Sequence, residues 1–148
     1  MKNDIYDMML SQYDMTTEQN KRNAVFEVNQ QVILAGLYNG GFFESAAFYG
    51  GTCLRIFHGL QRFSEDMDFS LLTQDANFDF SKYFQPIIDA FALVGREVEI
   101  KKKDKKNFGK VESAFLKDNT DVYDVTFQTE KAYSLCSFPH FRATSAVC

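Results

Sequence analysis

Tyr49-Gly50-Gly51-Thr52-Cys53-Leu54-Arg55, followed by Arg62-Phe63-Ser64-Glu65-Asp66-Met67-Asp68-Phe69, is the stretch around which the rest of the chain is organised. Paired glycines let a backbone turn sharply and approach a ligand, and Thr52 stands where a short helix would begin. A helix N-terminus presents unpaired N–H groups and the positive end of a dipole, which suits phosphate oxygens. The plainer alternative is a tight strand-to-helix turn. From Asp66 to Leu72 polar and apolar residues alternate with the period of a strand. Asp66, Asp68 and Ser70 share one face, and Met67, Phe69 and Leu71 the other. Two carboxylates so placed repel unless water or a cation lies between them. On an open edge water is enough. In a cleft the remedy is a divalent cation, and for phosphate substrates usually magnesium. Thirteen residues separate Thr52 from Asp66, room for one short helix and a return. Turn and carboxylates are therefore expected to meet at one end of a sheet.

Upstream, Ile5, Met8 and Met9 have helical spacing between Asp4 and Tyr13. Thr16 with Gln19 three residues later reads as a capping box for a second helix. That helix carries Val25, Val28, Val32, Ile33, Leu34 and Leu37, turns Lys21, Arg22, Gln30 and Gln31 to water, and stops near Asn39-Gly40-Gly41. It reads as a packing element without chemistry. Phe42–Tyr49 reads as a buried strand and Thr52–His58 as a helix.

Downstream, residues 77–94 read as an amphipathic helix on the spacing of Phe80, Phe84, Ile87, Ile88, Phe91 and Leu93. Glu97–Lys101 and Lys110–Leu116 flank a turn near Asn107-Phe108-Gly109, a hairpin pattern. Val122–Gln128 is another alternating strand. The fold class is α+β, one domain over residues 1–130, with residues 131–148 a tail of different composition that lacks acidic residues beyond Lys131.

The 148 residues suffice for one packed domain. A net charge of −4 gives no global attraction to nucleic acid or acidic lipid, so any polyanion must meet a local basic patch. Lys101, Lys102, Lys103, Lys105, Lys106 and Lys110 crowd one hairpin. They read either as a solvated turn or as a finger on RNA phosphates. The cysteines Cys53, Cys136 and Cys148 have no metal-ligand spacing, and Cys53 reads as a small core side chain. His58 and His140 have no partners at ligand spacing. Without a signal-peptide pattern or an apolar stretch of spanning length, the sequence reads as cytoplasmic, with no membrane partner.

Gly-Gly-Thr-x-Leu-Arg followed by Arg-x-Ser-x-Asp-x-Asp-Phe resembles the AbiEii/AbiGii toxin family of bacterial nucleotidyltransferases, within the polymerase-beta-like superfamily. The resemblance covers roughly residues 33–129, including the Ser113-Ala114-Phe115-Leu116 strand. It implies a mixed β-sheet with flanking helices and a toxin of a toxin–antitoxin or abortive-infection system, with a cognate antitoxin encoded nearby. It implies transfer of a nucleoside monophosphate from a triphosphate, GTP in the type example, to an acceptor hydroxyl, on tRNA in some relatives. Carried onto this chain, Asp66 and Asp68 hold Mg2+ and are the catalytic carboxylates. Gly50, Gly51 and Thr52 hold the triphosphate, Arg55 and Arg62 neutralise phosphate charge, and Ser64 orients the loop.

The family also has a third carboxylate on a later strand and a helical C-terminal half with a Lys/Arg-Gly-Arg-Asp motif. That half is missing from this sequence, which reads as truncated or frame-shifted after Lys131, with Asp124 or Asp121 as substitutes for the third carboxylate. The alternative to an enzyme is an inactive nucleotide-binding or interaction domain of the same ancestry, exposing an apolar face.

Overall fold

The computed structural model describes residues 4–73, 78–102, 111–118 and 121–131, with side chains as far as Ile100. The tail 132–148 and the lysine-bearing turn 103–110 lie outside the described residues, as does the proposed domain boundary's C-terminal side. Helix α1 (Ile5–Leu10) starts at Asp4, whose carboxylate accepts the Asp7 N–H. Helix α2 (Glu18–Asn39) starts one residue later than the capping box suggests. Thr17 is the cap and accepts the Asn20 N–H, while Gln19 bonds Asn23 instead. The helix stops at Gly40, and Gly41 takes a left-handed conformation.

Phe42–Glu44, expected as the start of a strand, is a turn of 3-10 helix, and the strand β1 is only Ala46–Tyr49. Helix α3 (Gly50–His58) follows without a break and ends at Gly59 in the left-handed region. Strand β2 is Met67–Leu71. The helix expected over residues 77–94 is in two parts, a 3-10 turn at Phe80–Tyr83 capped by Asp79 and then α4 (Phe84–Leu93). Strands β3 (Val98–Lys102), β4 (Val111–Asp118) and β5 (Asp121–Lys131) complete the sheet.

The sheet order is β1-β2-β5-β4-β3. Only β2 and β5 are parallel, so the sheet is mixed, and β3 pairs β4 as the expected hairpin. Parallel neighbours require a long crossover, and here everything between β2 and β5 provides it. The core is one cluster in which Met67, Phe69 and Leu71 of β2 meet Phe48 of β1, Leu37 and Ile33 of α2, and Ile87 and Phe91 of α4. Phe42 lies at its centre, with edge-on contacts to Phe69, Phe80 and Tyr83 at 5.0–5.6 Å between ring centres. This apolar face of β2 fixes its register, which forces Asp66 and Asp68 to the other side.

Candidate active site

Antiparallel pairing sets Tyr49, the last residue of β1, directly opposite Asp68. The chain then turns at Gly50 (φ 82°) straight into α3. A Cβ at Gly50 would collide with the Asp68 carboxylate, and one at Gly51 would come within 3.5 Å of the Ser64 hydroxyl. Both glycines are thus where the backbone passes closest to the residues singled out with them. Turn, Ser64 and Asp68 converge, as the spacing implied. The first N–H groups of α3 have no partner within the helix itself, so the carboxylate face of β2 abuts a helix start.

Asp66 is exposed at the entry to β2 and Asp68 is half-buried. Their carboxylates are hard oxygen donors beside a helix N-terminus. Among the described residues no group of three or more His, Cys, Asp or Glu gathers into a closed metal cage. Two carboxylates at a helix start fit magnesium, which keeps several waters and is commonly held by one or two carboxylates plus substrate phosphates.

Two residues expected at the phosphate have other partners. Thr52 does not open α3 but lies in its first turn, 1% exposed, where its hydroxyl donates to the Asp66 carbonyl. Its position inside rather than before the helix turns the hydroxyl inward, so it anchors the Asp strand. Arg55 is neither a surface residue nor an open phosphate ligand. Its Nε donates to Glu27 Oε1 (2.5 Å) and Nη2 to Glu27 Oε2 (3.3 Å), while Nη1 donates to the Leu60 and Gln61 carbonyls (3.0 and 2.7 Å). The guanidinium also lies 3.6 Å from the centre of the Phe63 ring. It thus ties α3 to Glu27 of α2 through Nε and Nη2, and to the segment after α3 through Nη1. Arg62, by contrast, is exposed and among the described residues forms no ion pair.

Glu27 and Gln30 were not visible as site residues. Both are buried on α2, 6% and 4% exposed. Gln30, expected to face water, donates instead to the Ser64 and Glu65 carbonyls. The available signal was a pair of polar side chains at i and i+3, a spacing that places them on one face of the helix. Tyr13 joins this network. Burial, a hydrogen bond to Glu27 and the Glu27 charge push its phenol up to about 12.

Strand β5 brings Phe127 level with Met67 and Gln128 level with Asp68. Asp124, opposite Phe115 of β4, precedes these positions, so it lies toward the end of β2 where Asp66 stands.

A family model described as the nucleotidyl transferase AbiEii toxin of type IV toxin–antitoxin systems matches residues 32–137. The chain belongs to the AbiEii nucleotidyltransferase toxin family. Among solved structures, MenT4, a nucleotidyltransferase toxin from Mycobacterium tuberculosis, aligns at 21% identity with a TM-score of 0.52, over 82% of this chain and 42% of that one. JHP933 from Helicobacter pylori aligns at 20% identity with a TM-score of 0.51, over 78% of this chain and 45% of that one. Both likenesses concern the fold. This AbiEii-family chain spans less than half the length of either structure. No curated protein matches the sequence.

On the far side of α3, Leu34, Tyr38, Phe43, Ile56 and Phe57 line an apolar groove of about 380 Å³. Leu54, Phe57 and Leu60 are exposed close to it in sequence. Among the described residues no helix is long and apolar enough to cross a membrane.

Proposed function

We propose that the Gly50-Gly51 turn and the Asp66/Asp68 strand form the nucleotide site of a toxin-like nucleotidyltransferase. The single observation that carries this reading is the apposition of Gly50 and Asp68, which sets the start of α3 against the strand that carries the carboxylates. The N–H groups of Gly50 and Gly51 at the start of α3 would bind the triphosphate, and Arg62 would supply positive charge from the exposed segment. Asp66 and Asp68 would hold Mg2+, which when bound neutralises phosphate charge and orients the reacting oxygens. Arg55 and Thr52 serve this site indirectly, by fixing the segment that delivers the aspartates.

The reaction is in-line attack of an acceptor hydroxyl on the α-phosphorus, forming a new P–O bond as the bond to pyrophosphate breaks. GTP is the proposed donor, an RNA such as tRNA the acceptor, the cytoplasm the place of action, and a cognate antitoxin the partner. Asp124 is the proposed third carboxylate, because β5 runs past the Asp66 end of β2. Asp66→Asn and Asp68→Asn should each abolish transfer of labelled nucleotide from a triphosphate. Variants as active as the wild type would reject the assignment.

A second reading is favoured by the apolar groove beside α3. On it, the chain binds nucleotide without turnover and packs against another polypeptide. Nucleotide binding without transfer, together with self-association in sedimentation, would select it.

A further inference from the structure

The segment between α3 and β2 has little apolar surface to hold it. Leu60 and Phe63 remain 43% and 37% exposed, and Gln61, Arg62 and Glu65 face solvent. It is fixed instead through its carbonyls. Those of Leu60 and Gln61 accept from Arg55, those of Ser64 and Glu65 from Gln30, and that of Asp66 from Thr52. Gln30 is the one donor of these from α2, and it grips the two residues immediately before Asp66, at 2.7 and 3.2 Å. Both of its partners are acceptors, so the amide nitrogen must face them. A buried amide at mid-helix costs free energy unless its donors are satisfied. An apolar side chain would fill the same space, so the amide at this position is explained by the two carbonyls.

We propose that Gln30 is a positioning residue for the Asp66/Asp68 pair: it fixes the peptide planes of Ser64 and Glu65 and so sets the direction from which the chain enters β2. The catalytic consequence rests on the nucleotidyltransferase reading above; the structural one does not. Small misplacements of reacting groups are costly, since a shift of about 1 Å can cost on the order of 100-fold in rate. The amide therefore acts on turnover through the aspartates, without touching substrate.

The test compares wild type with Gln30→Glu, which keeps the shape but replaces the donor by an acceptor, and with Gln30→Leu, which removes polarity and guards against a folding failure of the first. Lys21→Ala, on the exposed part of α2, is the control. Amide hydrogen exchange across residues 60–68 should rise by about tenfold or more in both Gln30 variants, with α4 exchange and the control unchanged. With GTP and magnesium, kcat should fall about 10- to 100-fold, while KM for GTP moves less than about threefold. Unchanged exchange in residues 60–68, or wild-type kcat in both variants, would overturn the proposal. If the wild type itself transfers no nucleotide, the nucleotidyltransferase reading fails, and the exchange result alone still decides whether Gln30 fixes the segment.

Discussion

The Asp68 carboxylate occupies the space that a side chain at Gly50 would need. One residue thus carries both the backbone turn and the clearance for a proposed metal ligand. Its φ of 82° is in the region where non-glycine residues are strained, and the collision adds to that. Gly50→Ala should lower stability by about 1–2 kcal/mol from the backbone alone, measured by urea denaturation. It should also displace Asp68 and weaken magnesium-dependent nucleotide binding. A Gly50→Ala protein with wild-type stability and binding would show that the close approach has no role.

Arg55 and Glu27 form a pair in which the two side chains are 18% and 8% exposed. Removing one partner of a buried pair leaves an uncompensated charge, typically at a cost of about 3–5 kcal/mol, and the partial exposure of Arg55 moves the expectation to the lower end. Arg55→Ala should therefore lower the denaturation midpoint strongly in the absence of any nucleotide. If stability is unchanged and only GTP affinity drops, Arg55 is a phosphate ligand and its structural role is refuted.

Thr52 separates the two roles in a different way. Thr52→Val keeps the shape but removes the hydroxyl, leaving the Asp66 carbonyl without its donor, at a cost of about 1–3 kcal/mol. Thr52→Ser should retain most of the stability and activity. A valine variant as stable as wild type would contradict the anchoring role.

Alkaline titration reads the Tyr13–Glu27 contact. The Tyr13 pKa is raised from 10.0 to about 12, first by burial and then by Glu27. A raised pKa means that the folded state keeps its proton longer than the unfolded chain. This contribution to stability is complete below pH 10, and it is lost as pH rises through 10 toward about 12. The phenolate difference spectrum between wild type and Tyr13→Phe should show a late-titrating tyrosine, and Glu27→Gln should bring it earlier. Titration of Tyr13 near pH 10 in the wild type would remove the contact.

The parts legible in the sequence were those whose signal is local. The strand period of Asp66–Leu72, the glycine turn into Thr52–His58 and the Glu97–Lys101/Lys110–Leu116 hairpin strands each carry their own pattern, and each has a counterpart in the fold. The apolar face of α2 was legible, but its buried Glu27 and Gln30 were not, because glutamine and glutamate on a helix normally face water. Their partners lie 28 to 35 residues later, and no local pattern reports them. A hydroxyl after two glycines resembles a helix cap, and the family resemblance implies a triphosphate contact for Thr52. The helix in fact begins at Gly50, and that shift turns the hydroxyl into the protein. The 3-10 turn at Phe42–Glu44 likewise has no local signature, since three residues after a left-handed Gly41 close a helical turn without any periodicity.

The central claim is that the Gly50 turn and the Asp66/Asp68 strand together bind a magnesium-complexed triphosphate. Calorimetric titration of GTP into wild type and Asp68→Asn, each with and without magnesium, tests it most directly. The account predicts saturable binding by wild type that requires magnesium, and a loss of about tenfold or more in affinity in Asp68→Asn. GTP binding of equal strength in both proteins, or binding indifferent to magnesium, would contradict it.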